Sequence, residues 1–73
     1  MNKFFVNPTK LLLSKWTAVH PVNKEKHFLV TGLVKDEQEM VIACVLEAVI
    51  NHREYQIDWK QLKDNDIWLC GWK

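Results

Sequence analysis

The sequence predicts a single all-β domain, a small and strongly bent antiparallel sheet of about four strands. Apolar and polar residues alternate through the segment 54–60, apolar residues fill the segments 27–35 and 40–50, and polar turn residues separate these segments. The chain has 73 residues, which leaves room for one domain over 1–73. Its four tryptophans supply the apolar area that so short a chain needs in order to fold without a metal or a disulfide.

The first two strands are predicted on either side of a proline-containing loop. The segment 11–19 alternates in its second half and is predicted as a strand, and the segment 20–26 is predicted as a loop because Pro21 cannot donate to a strand ladder. The segment 27–35 is apolar on both sides, which is typical of a central strand. Gly32 in its middle predicts a bulge or a sharp bend.

The segment 36–50 fits two structures. Asp36 and Glu39 have the spacing of a capping box before an apolar run, which would give an α+β fold with residues 37–50 helical. Five residues of the run are β-branched, which favours a buried strand. We predict the strand, with 36–39 as a hairpin connection, because the neighbouring segments are themselves strand-like.

The last third predicts one more strand and a short lid. In the segment 54–60, polar residues alternate with Tyr55, Ile57 and Trp59, which is typical of a half-buried strand. The segment 63–66 is predicted as a turn or a one-turn helix, followed by a Trp-rich tail that closes one end of an SH3-like half barrel. The predicted structural core is Phe28, Val30, Tyr55, Ile57, Trp59 and Trp68.

The charge distribution and the two cysteines indicate which partners and which cellular compartment to expect. Six lysines against one acid, Glu25, give residues 1–35 a net charge of +5, and eight acids against four bases give residues 36–73 a net charge of −4. The two halves are expected to attract each other, with a basic face for an anionic partner as the alternative. We find no secretory signal in residues 1–8, and no apolar run is long enough to span a membrane. We therefore expect a cytoplasmic protein with reduced thiols, and we expect Cys44 to be buried.

Several segments carry a family resemblance that covers nearly the whole chain. They are 7–19, 24–28, 47–49, 59–64 and 68–72, and the most specific are Leu-Ser-Lys-Trp-Thr at 13–17 and Trp-Leu-Cys-Gly-Trp at 68–72. These residues resemble a family of small tryptophan-rich bacterial proteins of unknown function. The resemblance implies a self-contained bacterial domain, and it assigns no catalytic or binding residue.

Residue spacing argues against an enzyme and against a metal or cofactor site. No two of the three histidines and two cysteines have the close pairing that zinc sites use. With only two glycines, no glycine-rich loop is available to hold a phosphate, and no serine or cysteine lies in a turn of the nucleophile type. We therefore expect no catalytic residues, no metal and no cofactor.

Binding is the predicted role. The first hypothesis is a non-enzymatic protein-interaction module with an unknown protein partner, anchored by an exposed aromatic side chain from Trp16 or Trp72. The second is single-stranded nucleic-acid binding through the basic N-terminal half. The third is a homodimer formed through an exposed strand edge or the Trp-rich tail. The candidate binding residues are Lys15, Trp16, Arg53 and Trp72.

Overall fold

The computed structural model describes residues 7–73 and confirms the all-β prediction. Residues 1–6 lie outside this range, and with them most of the segment 1–8 on which the expectation about a secretory signal rests. The strands are β1 (Lys15–Val22), β2 (Glu25–Lys35), β3 (Val41–Ala48), β4 (Glu54–Ile57) and β5 (Trp68–Cys70). They form one unclosed antiparallel sheet in the order β4-β3-β2-β1-β5, and the helical segments of the described chain are two 3-10 turns, Pro8–Lys10 and Trp59–Lys63.

The boundaries predicted for the first strand and the following loop are wrong. β1 starts at Lys15 and continues through Pro21 to Val22, and the connection to β2 is the two-residue turn Asn23-Lys24. Both turn residues have left-handed φ angles, 56° and 64°, as tight β-hairpins require. Pro21 is tolerated because it lies beyond Ala18, the last β1 residue in register with β5, and in a stretch where the β1–β2 register is irregular.

Within the segment 39–50, β3 covers Val41–Ala48, so the predicted strand is confirmed and the helical alternative is not adopted. Asp36 caps a hairpin turn instead of a helix, because its Oδ1 accepts hydrogen bonds from the backbone N–H groups of Gln38 (2.8 Å) and Met40 (3.0 Å). The bulge predicted at Gly32 is also present. The β2–β3 register passes from Val30↔Leu46 to Gly32↔Val45, which leaves one extra residue on β2.

The last predicted strand and the tail differ from the structure. β4 ends at Ile57 rather than at residue 60, because the Asp58 side chain accepts a hydrogen bond from the N–H of Lys60 (3.0 Å) and caps the second 3-10 turn. Residues 65–67 form a turn, in keeping with the turn predicted at 63–66, but the tail that follows is not a lid. It supplies the fifth strand, which pairs with β1 through Trp16↔Cys70 and Ala18↔Trp68.

One face of the sheet, here called the inner face, carries the core. Its buried residues are Leu11, Trp16, Phe28, Val30, Cys44, Leu46, Ala48, Leu62 and Trp68. Of the other predicted core residues, Ile57 and Trp59 are half-buried against this cluster, and Tyr55 is 37% exposed because the edge strand β4 has a neighbour on one side only. Burial, reinforced by the charge of Asp58, raises the pKa of the Cys44 thiol to about 11.

No helix within residues 7–73 combines the length and the apolar character needed to cross a lipid bilayer.

Candidate functional site

The inner face is only partly filled by the core, and a cavity of about 400 Å³ occupies the part beside the β1–β2 hairpin. Its volume falls within the range of about 300–1,000 Å³ that is typical of ligand pockets. The apolar walls come from all five strands, through Ala18, Phe28, Leu46, Ile57 and Trp68. The lining also includes His20 near the end of β1, Asn23 in the β1–β2 turn and Ile67 just before β5, so the cavity is built by the sheet and its adjoining turns.

The sheet register explains why the cavity exists. Ala18 lies opposite Trp68 across the β1–β5 pair, and Leu46 lies opposite Tyr55 across the β3–β4 pair. The small side chain of Ala18 leaves space where a larger residue would complete the core. The sheet is also unclosed beyond β4, so no further strand covers this end.

Three aromatic side chains line the cavity in mutually tilted orientations. The Phe28 and Trp68 rings are 5.1 Å apart between centroids and nearly perpendicular, at 89°. The Phe28 and Tyr55 rings are 6.3 Å apart at 65°. The edge-to-face contacts of Phe28 with Tyr55 and Trp68 hold the three rings in fixed positions along the cavity wall. The indole N–H of Trp68 is buried and has no acceptor among the described residues.

A buried carboxylate, that of Glu25, also lines the cavity. Glu25 is 5% exposed; the Tyr55 hydroxyl donates to its Oε1 (2.7 Å) and the Asn51 amide donates to its Oε2 (2.6 Å). These two hydrogen bonds, aided by the charge of Arg53, hold the pKa of Glu25 below its ordinary value, against the opposing effect of burial. The cavity wall therefore carries a negative charge at neutral pH.

Glu25 has no cation at contact distance. The acid–base pairs within 4.0 Å among residues 7–73 are Lys35–Glu39 and His52–Glu47. The Tyr55 hydroxyl remains a donor because its hydrogen bond to Glu25 raises the pKa of Tyr55. The contacts to the carboxylate thus come from two neutral donors, and Arg53 supplies positive charge only from beyond contact distance.

The free energy of unfolding should depend on pH through the ionisation of the Glu25 carboxyl. Because the folded-state pKa of Glu25 is lowered from its ordinary value of 4.5, folding gains stability from this group above that value. That gain is lost as the pH falls through the lower folded-state pKa. We expect Glu25→Gln to lower the urea midpoint at pH 7, and the difference from the parent protein to shrink steadily between pH 5 and pH 3. A difference that stays constant over this range would contradict the assignment.

The four predicted binding residues do not form one surface. Trp16 is 3% exposed and its indole N–H donates to Ser14 Oγ (2.8 Å), so its ring lies in the core and is not an exposed anchor. Trp72 is 44% exposed, its N–H donates to the Phe28 carbonyl (2.9 Å), and Lys15 Nζ lies 4.9 Å from its ring centroid. Lys15 and Trp72 lie on the outer face, because Lys15 adjoins the inward-facing Trp16 in β1. Arg53 lies instead near Glu25, where its charge lowers the pKa of that carboxyl.

Sequence reasoning missed Glu25, the central polar group of the cavity. The available signal was that Glu25 is the one acid among the first 35 residues. Its place in a predicted loop concealed its role, because a loop acid is expected to be solvated. Recognising Asn23-Lys24 as a hairpin turn would have placed Glu25 at the first position of β2, opposite Val22.

Comparisons with known proteins place the chain in a family. No curated protein and no solved structure matches it. A family model described as Tryptophan-rich protein (DUF2389) matches residues 14–73, which is most of the chain and confirms the resemblance noted from the sequence. This protein therefore belongs to the Tryptophan-rich protein (DUF2389) family.

Proposed function

We propose that this protein is a non-enzymatic interaction domain that takes a side chain of a partner protein into the inner-face cavity. One observation carries the proposal. A cavity of about 400 Å³ has apolar and aromatic walls, and it also carries one charged carboxylate without a contacting cation. An apolar cavity with few polar groups is the usual form of a specific binding site.

The groups in and near the cavity suit binding better than catalysis. A carboxyl with a lowered pKa is a weak general base at neutral pH, and a phenol with a raised pKa stays protonated. The thiol of Cys44, with a pKa of about 11, supplies little thiolate for nucleophilic attack. Glu25 and Tyr55 therefore act as a hydrogen-bonded recognition pair.

A protein partner fits this cavity better than a nucleic acid. Phosphates supply much of the affinity of nucleic acids for proteins, and the charge of Glu25 would repel them. We place this interaction in the cytoplasm, because Cys44 and Cys70 are both free thiols, as a reducing compartment would leave them.

Selection from a random peptide display library tests the proposal, with two matched variants as references. Ala18→Phe fills the cavity with a ring, and Gln56→Phe adds the same ring to the outer face of β4, between Tyr55 and Ile57 of the cavity wall. We expect selected peptides to bind Gln56→Phe like the parent protein and to lose about ten-fold or more in affinity for Ala18→Phe, because a cavity occupant contributes roughly 1.4 kcal/mol or more.

Thermal melts of both variants must first show that they fold. Peptides that bind Ala18→Phe and the parent protein equally would contradict the proposal, and so would a library that yields no enriched sequence.

A further inference from the structure

We infer that the cavity is an alkylammonium site, in which the Glu25 carboxylate and the rings of Phe28, Tyr55 and Trp68 receive a lysine side chain of the partner. The inference rests on the proposed function and names the chemistry of the occupant. It combines one buried charge that has no cation at contact distance with three aromatic walls around the same space.

The negative charge of the Glu25 carboxylate favours the binding of a cation. Buried charges in proteins are normally paired, because removing an ion from water without compensation is costly. Glu25 is 5% exposed, and no cation of the described chain lies within contact distance of it. Each carboxylate oxygen accepts one internal hydrogen bond, from Tyr55 or from Asn51. A carboxylate offers about four acceptor positions, so acceptor capacity remains for an ammonium donor.

The walls suit the rest of a lysine side chain. Aromatic ring faces carry negative electrostatic potential and attract ammonium groups within about 6 Å. Phe28 makes tilted contacts with both Tyr55 and Trp68, so the rings line the wall in different planes. Ala18, Leu46 and Ile57 provide an apolar surface for the four-carbon stem.

The geometry at Glu25 favours lysine over arginine. A guanidinium group binds a carboxylate best through two parallel hydrogen bonds, one to each oxygen. Tyr55 already occupies one position on Oε1 and Asn51 one on Oε2, so a side-on guanidinium would need the remaining position on both oxygens at once. A compact ammonium group needs only one free acceptor position. Arg53 contributes positive charge from beyond contact distance of Glu25. This charge weakens the attraction between the Glu25 carboxylate and a bound ammonium group, but Arg53 does not take the place of that group.

Three small probes test the inference on the full chain. They are n-butylammonium, which reproduces the lysine side chain, 1-butanol, which is its neutral counterpart, and n-butylguanidinium. Binding is followed by NMR through the methyl groups of Ala18 and Ile57 and the indole N–H of Trp68. We expect n-butylammonium to bind about ten-fold more tightly than 1-butanol, because a hydrogen bond to a charged group is stronger than a neutral one. We also expect it to bind more tightly than n-butylguanidinium.

Glu25→Gln removes the charge and should make n-butylammonium and 1-butanol bind alike, while Ala18→Phe should abolish the binding of both. If Glu25→Gln does not fold, the ratio of the two affinities in the parent protein decides the question. Equal affinities in the parent protein would overturn the inference and leave the proposed function standing. Tighter binding of n-butylguanidinium would overturn the choice of lysine. Failure of every probe, together with peptides insensitive to Ala18→Phe, would overturn the proposed function as well.

Discussion

Replacing Trp16 by alanine is expected to lower the free energy of unfolding by about 3–5 kcal/mol, the usual effect of truncating a buried tryptophan. Domains of this length are typically stable by about 4–11 kcal/mol, so the variant should lose a large fraction of its stability. Trp16 is 3% exposed and lies in register with Phe28 on one side and Cys70 on the other. The change would therefore open a void between β2 and β5.

Trp72→Ala is the matched control, because it removes the same ring from a position that is 44% exposed. It loses one hydrogen bond, to the Phe28 carbonyl, and the contact with Lys15, so we expect a loss of about 1–2 kcal/mol. Urea unfolding followed by circular dichroism compares the two variants without depending on tryptophan emission. Equal losses, or a larger loss for Trp72→Ala, would contradict the burial of Trp16.

Local patterns predicted the strands that have strong side-chain signals. The β-branched run of β3 decided between strand and helix, and the capping-box spacing of Asp36 and Glu39 proved to serve a hairpin turn. Gly32 marked the bulge because a glycine inside a strand pattern commonly relieves a change of register. These features depend on residues that are close in sequence, which is why the sequence alone revealed them.

Pairing between distant segments decided the features that were missed. β5 is only three residues long, too short to show a period of two, and it forms a strand because β1 offers an open edge. Pro21 predicts the end of a strand, yet it is accommodated because β5 does not reach it. In both cases the strand is defined by its neighbour and not by its own composition.

The cavity was the least predictable feature. It results from the small side chain of Ala18 opposite Trp68 and from the missing strand beyond β4, and neither has a sequence motif. Tyr55 fitted a core residue by alternation, but its hydroxyl requires a polar partner and finds one in Glu25, thirty residues away. A buried acid and its donor were thus assigned separately, one to a loop and one to the core.

A chain that ends at Asp66 is expected to lose cooperative unfolding altogether. The deletion removes β5 and exposes the β1 edge, and the loss of the buried Trp68 ring alone should cost about 3–5 kcal/mol. It also removes the Gly71 carbonyl that accepts from the Thr17 hydroxyl (2.7 Å), and it removes the Lys73 N–H that donates to the same hydroxyl (2.9 Å). Thr17 is 2% exposed in the full chain, so the deletion also exposes this position to water and removes two of its hydrogen bonds.

A chain that ends at Gly71 separates the strand from the final two residues. It retains β5, the Thr17 bond to the Gly71 carbonyl and the hydrogen bond from the Gly71 N–H to the Lys15 carbonyl (2.7 Å). We therefore expect it to melt cooperatively, with a loss of about 1–3 kcal/mol from the Trp72 and Lys73 contacts. Thermal melts followed by circular dichroism distinguish the two chains. If the chain ending at Asp66 melted as sharply and at the same temperature as the full protein, β5 would have no role in holding the sheet together.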